Sequence, residues 1–196
     1  FFLTRLLGNL YFIHIIQHKE LTTRCRRQLP TDAIPFLLFF LAFVIRTLLK
    51  DGFSVEPDTG LIFMEPYKYF HNLTEIPVLL VLFLAGICGV LYGLFLGIFR
   101  QTSKHGFWFA SGGTVLTVLA LLLCAGYNHT AYYPSTTDLQ SSLTLSNSCS
   151  SLFTLRIMAY ISILIPFVVA YIAYVWRVMN RQPLSTDDIR NNQDKY

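Results

Sequence analysis

The amino-acid sequence predicts an all-α integral membrane protein, a helix bundle with four complete transmembrane helices and a truncated N-terminal one. Of the 196 residues, 54% are hydrophobic and only 13% are charged, whereas charged residues make up about 25% of a soluble domain. Apolar runs of about 20 residues, the length that spans a bilayer as a helix, alternate with polar segments. Basic residues are concentrated in every second polar segment, which is typical of a multi-pass membrane protein.

The apolar runs divide one membrane domain into helices and connecting segments. Residues 1–16 are predicted to be a partial helix that is cut at its start, because Phe1 already lies inside an apolar run. Complete helices are predicted over residues 33–49, 76–99, 107–126 and 157–176. The remaining segments are a basic loop at 17–32, a polar loop at 50–75, a basic loop at 100–106, a Ser/Thr-rich loop at 127–156 and a basic tail at 177–196.

Prolines supply local boundary signals. Pro30-Thr31-Asp32 offers an N-cap for the second helix. Pro57-Asp58-Thr59-Gly60 predicts a turn, since proline fixes φ and glycine accepts a positive φ. Pro166 removes the amide that would bond the Ser162 carbonyl, so a kink is expected in the last helix.

The charges predict the orientation. The 17–32 and 100–106 loops and the tail are predicted to be cytoplasmic, and the 50–75 and 127–156 loops periplasmic. The outer loops hold only Lys50 and Lys68, with Arg46 and Arg156 at helix ends. The inner segments would hold Lys19, Arg24, Arg26, Arg27, Arg100, Lys104, Arg177, Arg181, Arg190 and Lys195. The net charge of +4 therefore reflects orientation signals, and no nucleic-acid partner is expected.

Two features inside the apolar runs are candidates for a role. Ala85, Gly89, Gly93 and Gly97 recur every four residues and so share one helix face. Small residues at that spacing let another helix approach closely, which favours helix packing or a subunit interface. Arg5 lies within the first run, and an ionisable residue at membrane depth is a functional candidate. We expect it to pair with a carboxylate outside this chain segment.

The sequence carries no recognisable catalytic or metal-binding pattern. It has no GxSxG, P-loop, HExxH or dinucleotide-binding motif. Haem ligation within a bundle needs a mid-helix histidine, and the four complete runs have none. We therefore predict no catalytic, cofactor-binding or metal residue and no disulfide. The histidines for which no ligand role is predicted are His14, His18, His71, His105 and His129. The cysteines for which no disulfide or metal site is predicted are Cys25, Cys88, Cys124 and Cys149.

The last third of the chain resembles a known family. The motifs that carry the resemblance, in order, are Pro134-Ser135, Ser142-Leu143-Thr144, Ser150-Ser151, Thr154-Leu155 with Met158, Pro166, Tyr171 and Thr186-Asp187-Asp188-Ile189. Their order and spacing are similar to the C-terminal end of subunit II of cytochrome bd-type quinol oxidases, with the bacteroidete-like branch most similar.

The resemblance implies the haem-free subunit of a bacterial inner-membrane respiratory complex. In that family subunit I carries haem b and haem d, oxidises quinol and reduces oxygen, and subunit II stabilises it. This chain resembles only the second half of an eight-helix subunit, so the acidic proton-path residue of the first half has no counterpart here. A structural quinone lies against subunit II in some members.

A second interpretation stays open. A small transporter or tetraspan-like protein with no redox role would also explain the small-residue face and the charge asymmetry. Asn72-Leu73-Thr74 and Asn128-His129-Thr130 are formal glycosylation sequons on outer loops, which hints at a eukaryotic surface protein. A transporter should show inverted repeats with broken helices near the midplane, and none is visible in the sequence.

Overall fold

The computed structural model describes residues 1–16, 18–100 and 105–179, and the predicted helical membrane bundle is confirmed. The helices are α1 (Phe2–Ile15), α2 (Lys19–Leu48), α3 (Lys68–Glu75), α4 (Pro77–Phe99), α5 (Gly106–Gly126), α6 (Leu145–Ser148), α7 (Leu152–Ser162) and α8 (Ile165–Met179). An antiparallel hairpin, β1 (Gly52–Val55) and β2 (Ile62–Glu65), lies between α2 and α3. Helices α2, α4, α5 and the pair α7–α8 are long and apolar enough to cross a membrane.

The bundle has two chemically different ends. At the basic end, α1 and α4 finish and α2 and α5 begin, and the sequence there is rich in lysine and arginine. At the opposite end, the hairpin, α3 and the segment 127–149 pack together. We call these three parts the cap. The predicted basic residues Lys104, Arg181, Arg190 and Lys195, and the motif Thr186–Ile189, lie outside the described residues.

Helices α4 and α5 pack along a seam of small residues. A Cβ atom added at Gly93 would lie 2.6 Å from the Ala110 nitrogen and 2.6 Å from the Gly106 carbonyl oxygen. One added at Gly89 would lie 3.0 Å from the Gly113 Cα. The opposing atoms belong to the backbone, which cannot move aside as a flexible side chain can. Close approach of this kind is how helices associate within lipid. The glycine seam comprises Gly86, Gly89, Gly93, Gly106, Ala110 and Gly113.

The α1–α2 pair packs beside this seam. Leu10 and Leu29 are almost fully buried, and both would contact a Cβ atom added at Gly97. Arg26 crosses from α2 to the end of α4, where its Nη1 donates to the carbonyl oxygens of Gly97 at 2.7 Å and Arg100 at 3.1 Å. These carbonyls have no partner within α4, so the arginine caps the helix and fixes α2 against it.

The prediction of a loop over residues 17–32 and a helix beginning at residue 33 is wrong from Lys19 onward. The chain is helical from Lys19, because His18 caps the first turn and the Thr22 hydroxyl bonds the carbonyl one turn back. Pro30 lies inside this helix and costs it one backbone hydrogen bond. The interhelical contacts of Arg26 and the burial of Leu29 before Pro30, and the burial of Asp32 and Ala33 after it, hold the helix together across that position.

The other boundaries differ less. The 50–75 loop contains the hairpin and α3, and its predicted turn is confirmed, with Gly60 at φ 69°. The last helix begins at Leu152 rather than residue 157, because the Ser151 hydroxyl accepts from the Thr154 amide as an N-cap. The kink predicted from Pro166 is confirmed as a break between α7 and α8.

We predict that Gly93→Ala destabilises the detergent-solubilised full-length chain by about 1–3 kcal/mol, as overpacking of a close contact does. The added methyl group has no space between Ala110 and Gly106. Gly112→Ala is the matched control, since a Cβ atom there meets nothing within 4 Å. The control should leave the thermal unfolding midpoint unchanged or slightly raised. An equal loss in both variants would contradict a specific seam.

Candidate functional site

A buried carboxylate in α2 is the centre of a polar cluster within the bundle. Asp32 is 1% exposed. Its Oδ1 accepts from the Gln28 amide at 3.4 Å, and its Oδ2 accepts from the Asn9 amide at 3.3 Å. Arg5 Nη2 lies 3.3 Å from Oδ1. A charged group within a membrane span is costly unless it is paired in this way, so the cluster links α1 to α2 by electrostatics as well as by packing.

Arg5 finds its carboxylate within this chain, not outside it as the sequence led us to expect. Its side chain is 41% exposed, whereas the side chain of Asp32 is 2% exposed. The guanidinium carbon also lies 5.5 Å from the centre of the Phe1 ring, which is within the range of a cation–π contact. The pair is therefore asymmetric, because the acid is enclosed and the base reaches the surface of the bundle.

Sequence reasoning missed Asp32 because it treated this residue as part of a helix N-cap. The signal that identifies it is helical periodicity. Asp32 follows Leu29 by three residues and precedes Phe36 by four, and all three share the face of α2 that packs into the core with Ala33. A carboxylate on the apolar stripe of an amphipathic helix is either paired or functional.

The four small residues predicted to share one packing face are not equivalent. Gly89 and Gly93 meet α5, and Gly97 meets Leu10 of α1 and Leu29 of α2. Ala85 is exposed on the surface of α4. The face is thus occupied mainly by helices of this chain.

A second buried polar side chain, that of Asn72, holds the cap together. Asn72 is 0% exposed, and its Nδ2 donates to the Cys124 carbonyl at 2.9 Å and to the Thr130 hydroxyl at 2.8 Å. The Asn128 amide donates to Asn72 Oδ1 at 3.1 Å and to Glu75 at 2.6 Å. Both sequon nitrogens are therefore engaged in the folded chain.

An ionic contact ties the hairpin to α3. Lys68 Nζ lies 3.1 Å from Glu65 Oε2, and His71 Nδ1 lies 2.9 Å from Oε1. Burial alone raises the pKa of the Glu65 carboxyl. Hydrogen bonds with His71, Lys68 and Ser54, and the charge of Lys68, outweigh burial and hold that pKa below its ordinary value. A lowered carboxyl pKa means that the contact stabilises the cap at neutral pH and is lost as the pH falls through that value.

An apolar groove of about 350 Å³ lies between α1, α2, α4 and α5. Aromatic and aliphatic side chains line it, among them Phe36, Phe40 and Val90. Its two hydroxyl groups, of Thr114 and Thr117, donate to carbonyl oxygens of their own helix at 2.8 Å. The groove therefore presents an apolar surface to a ligand, and both hydroxyl groups that line it already donate to the backbone.

We predict that Arg5→Met lowers the stability of the full-length chain in mild detergent by about 1–3 kcal/mol, because the Asp32 carboxylate stays buried with one partner fewer. The double variant Arg5→Met/Asp32→Asn should recover part of that loss, since the uncompensated charge is then absent. Arg46→Met, at an exposed arginine, is the control. Asp32→Asn alone completes the cycle. Additive losses in the double variant would contradict the pairing, and thermal unfolding of the five proteins, the unaltered chain included, measures it.

Comparison with known proteins identifies the family. The family model for cytochrome bd terminal oxidase subunit II matches residues 1–179. No curated protein matches the chain. The match covers every described helix, from α1 through the end of α8. The chain therefore belongs to the subunit II family of cytochrome bd terminal oxidases and forms part of a membrane-embedded quinol oxidase.

Proposed function

We propose that this chain binds no haem and scaffolds the haem-bearing subunit I of a bd-type quinol:oxygen oxidoreductase. In this proposal subunit I carries haem b and haem d and oxidises quinol, while this chain supplies no catalytic residue. The observation that carries the proposal is the family match together with a full-length apolar span, α7–α8, that contributes no buried residue to the described bundle.

The positions of the histidines support a haem-free role. His14 lies in the last turn of α1, while His18 and His105 occupy the N-terminal boundary positions of α2 and α5. His71 and His129 lie in the cap. Haem ligands in a membrane bundle come from side chains that project into its interior. The described spans thus present no histidine near their middle.

The surface of α7–α8 supports a scaffolding role. Phe167, Tyr171 and Tyr174 are all more than 65% exposed. The described bundle therefore leaves a large apolar surface of α8 uncovered. Ala170 and Ala173 are exposed on one face of α8 and leave room for a neighbouring helix. A helix of subunit I is the occupant that we propose for this face.

A structural quinone is a further part of the proposal. The apolar groove beside α2 has the chemistry that an isoprenoid tail requires, and its hydroxyl groups are already bonded to backbone. We therefore propose that the groove holds a tail, with the ring held elsewhere.

The charge distribution supports a bacterial inner-membrane location with the basic end in the cytoplasm. Cys149 is exposed at the end of the cap segment, and Cys25 lies in the basic part of α2. We predict that a membrane-impermeant maleimide labels Cys149 in spheroplasts and labels Cys25 only after permeabilisation. Cys149→Ser is the control for the first signal. Labelling in the reverse order would invert the proposed orientation.

The proposed scaffolding role is tested by a reduced-minus-oxidised visible spectrum of the complex that copurifies with the full-length chain. We predict b- and d-type haem absorption carried by a separate, larger subunit. Ala173→Leu should lower the haem recovered per chain several-fold, because the larger side chain fills the space left for a neighbouring helix. Ile172→Leu, on a different face, should not.

Two outcomes would overturn the proposal. Haem retained on this chain after the subunits are separated would contradict the haem-free role. Full haem recovery with Ala173→Leu would show that the subunit interface does not include this face of α8.

A further inference from the structure

The polarity of α3 is partly reversed with respect to the bundle. Lys68 and Asn72, four residues apart, face inward and are 6% and 0% exposed. Phe70, on the other side of the helix, is 47% exposed, and Tyr67 before it is 49% exposed. A helix that borders water places its apolar side chains inward and its polar ones outward. The pattern of α3 is instead that of a helix whose outer side borders apolar surroundings.

The buried polar groups of α3 are bonded within the chain. Lys68 Nζ lies 3.1 Å from Glu65 Oε2. The Asn72 amide donates to the Cys124 carbonyl at 2.9 Å and to the Thr130 hydroxyl at 2.8 Å. Burial of polar groups is tolerated when they are bonded in this way. These contacts therefore fix which side of the helix faces outward.

The outward side of α3 is uncharged. Tyr67, Phe70 and Thr74 are exposed and follow one another at spacings of three and four residues, which places them on one side of a helix. We call these three residues the outer face of α3. The Thr74 hydroxyl donates to the carbonyl oxygens of Phe70 at 3.1 Å and His71 at 3.0 Å. It therefore needs no water to satisfy its donor.

The titratable side chains at the edges of the outer face are bonded to other parts of the cap. Glu75 Oε2 accepts from the Asn128 amide at 2.6 Å. His71 Nδ1 lies 2.9 Å from Glu65 Oε1 in the hairpin. These contacts direct both side chains towards the cap and leave the outer face to Tyr67, Phe70 and Thr74.

Helix α3 lies at the level where two membrane spans have their cap ends. The Cys124 thiol donates to the Tyr69 carbonyl at 3.1 Å, and Cys124 lies in the last turn of α5, which ends at Gly126. Ile76 alone separates α3 from α4. Val78, in the first turn of α4, is already exposed, so the exposed apolar surface of the span begins directly after α3. The ends of membrane spans lie at the headgroup level, where tyrosine is enriched.

We propose that the outer face of α3 binds the surface of the lipid bilayer and anchors the cap to it. The Phe70 ring contacts the upper acyl carbons, and the Tyr67 hydroxyl lies among the headgroups, as suits a side chain with an apolar body and a polar tip. Because the face is uncharged, it recognises the apolar–polar boundary of the bilayer and not a particular headgroup. The exposed surface that continues from Val78 into α4 makes the membrane, rather than a second protein, the occupant that fits.

The test places a nitroxide label on the full-length chain within its complex, reconstituted in phosphatidylcholine nanodiscs. Phe70→Cys and Thr74→Cys are labelled separately, in a background whose accessible cysteines are replaced by serine. The second position reports the same face should the first substitution disturb the helix. Asp58→Cys, at the exposed turn of the hairpin, is the control. Electron paramagnetic resonance then measures collisions of each label with oxygen, which collects among acyl chains, and with a nickel chelate, which stays in water.

We expect the ratio of oxygen to nickel collision rates to be several-fold higher at positions 70 and 74 than at position 58. The same ratios are expected in phosphatidylglycerol nanodiscs, because no charge on the outer face selects a headgroup. Nickel collisions that exceed oxygen collisions at both positions would place the face in water and overturn the proposal. Low rates with both reagents would show that a protein covers the face, which would overturn it equally.

Discussion

The close approach of α4 and α5 is the constraint on which the rest of the bundle depends. Within lipid, apolar burial gives little preference for one helix neighbour over another, so backbone-to-backbone contact has to supply it. Gly93 and Gly106 face each other with no room for a side chain, and Gly89 faces Gly113 in the same way. This seam fixes the axial position of the two helices. It thereby fixes where Gly97 lies relative to α1 and α2.

The polar contacts of α2 then follow from the position of the seam. With Gly97 against Leu29, the last carbonyls of α4 come within reach of Arg26, six residues before the buried Asp32. Each contact satisfies a group that would be costly alone, a helix-end carbonyl in one case and a carboxylate in the other. Helix α2 thus makes one polar interhelical contact at its basic end, through Arg26, and a second one further along the helix, through Asp32.

The sequence predicts the spans well and the polar sites poorly, for one physical reason. A span needs only length and hydropathy, so α4 and α5 begin and end within one residue of their predicted limits. The role of a single polar residue depends on which helix lies beside it. Asp32 after Pro30 fits an N-cap and a buried ion pair equally well until Arg5 and Asn9 are placed. The basic stretch before it looked like a loop because the contacts of Arg26 and Leu29, which stabilise the helix beside Pro30, cannot be read from the sequence.

The contrast between α4 and α8 shows where this chain leaves surface for others. The glycines of α4 are used within the chain, and Asn72 bonds the Cys124 carbonyl at the cap end of the neighbouring α5. Helix α8 touches the bundle through Trp176 and otherwise presents apolar side chains with Ala170 and Ala173 among them. Small residues on an exposed face of an apolar helix favour packing against another helix over contact with lipid alone. We propose that this neighbour is the haem-bearing subunit of the oxidase.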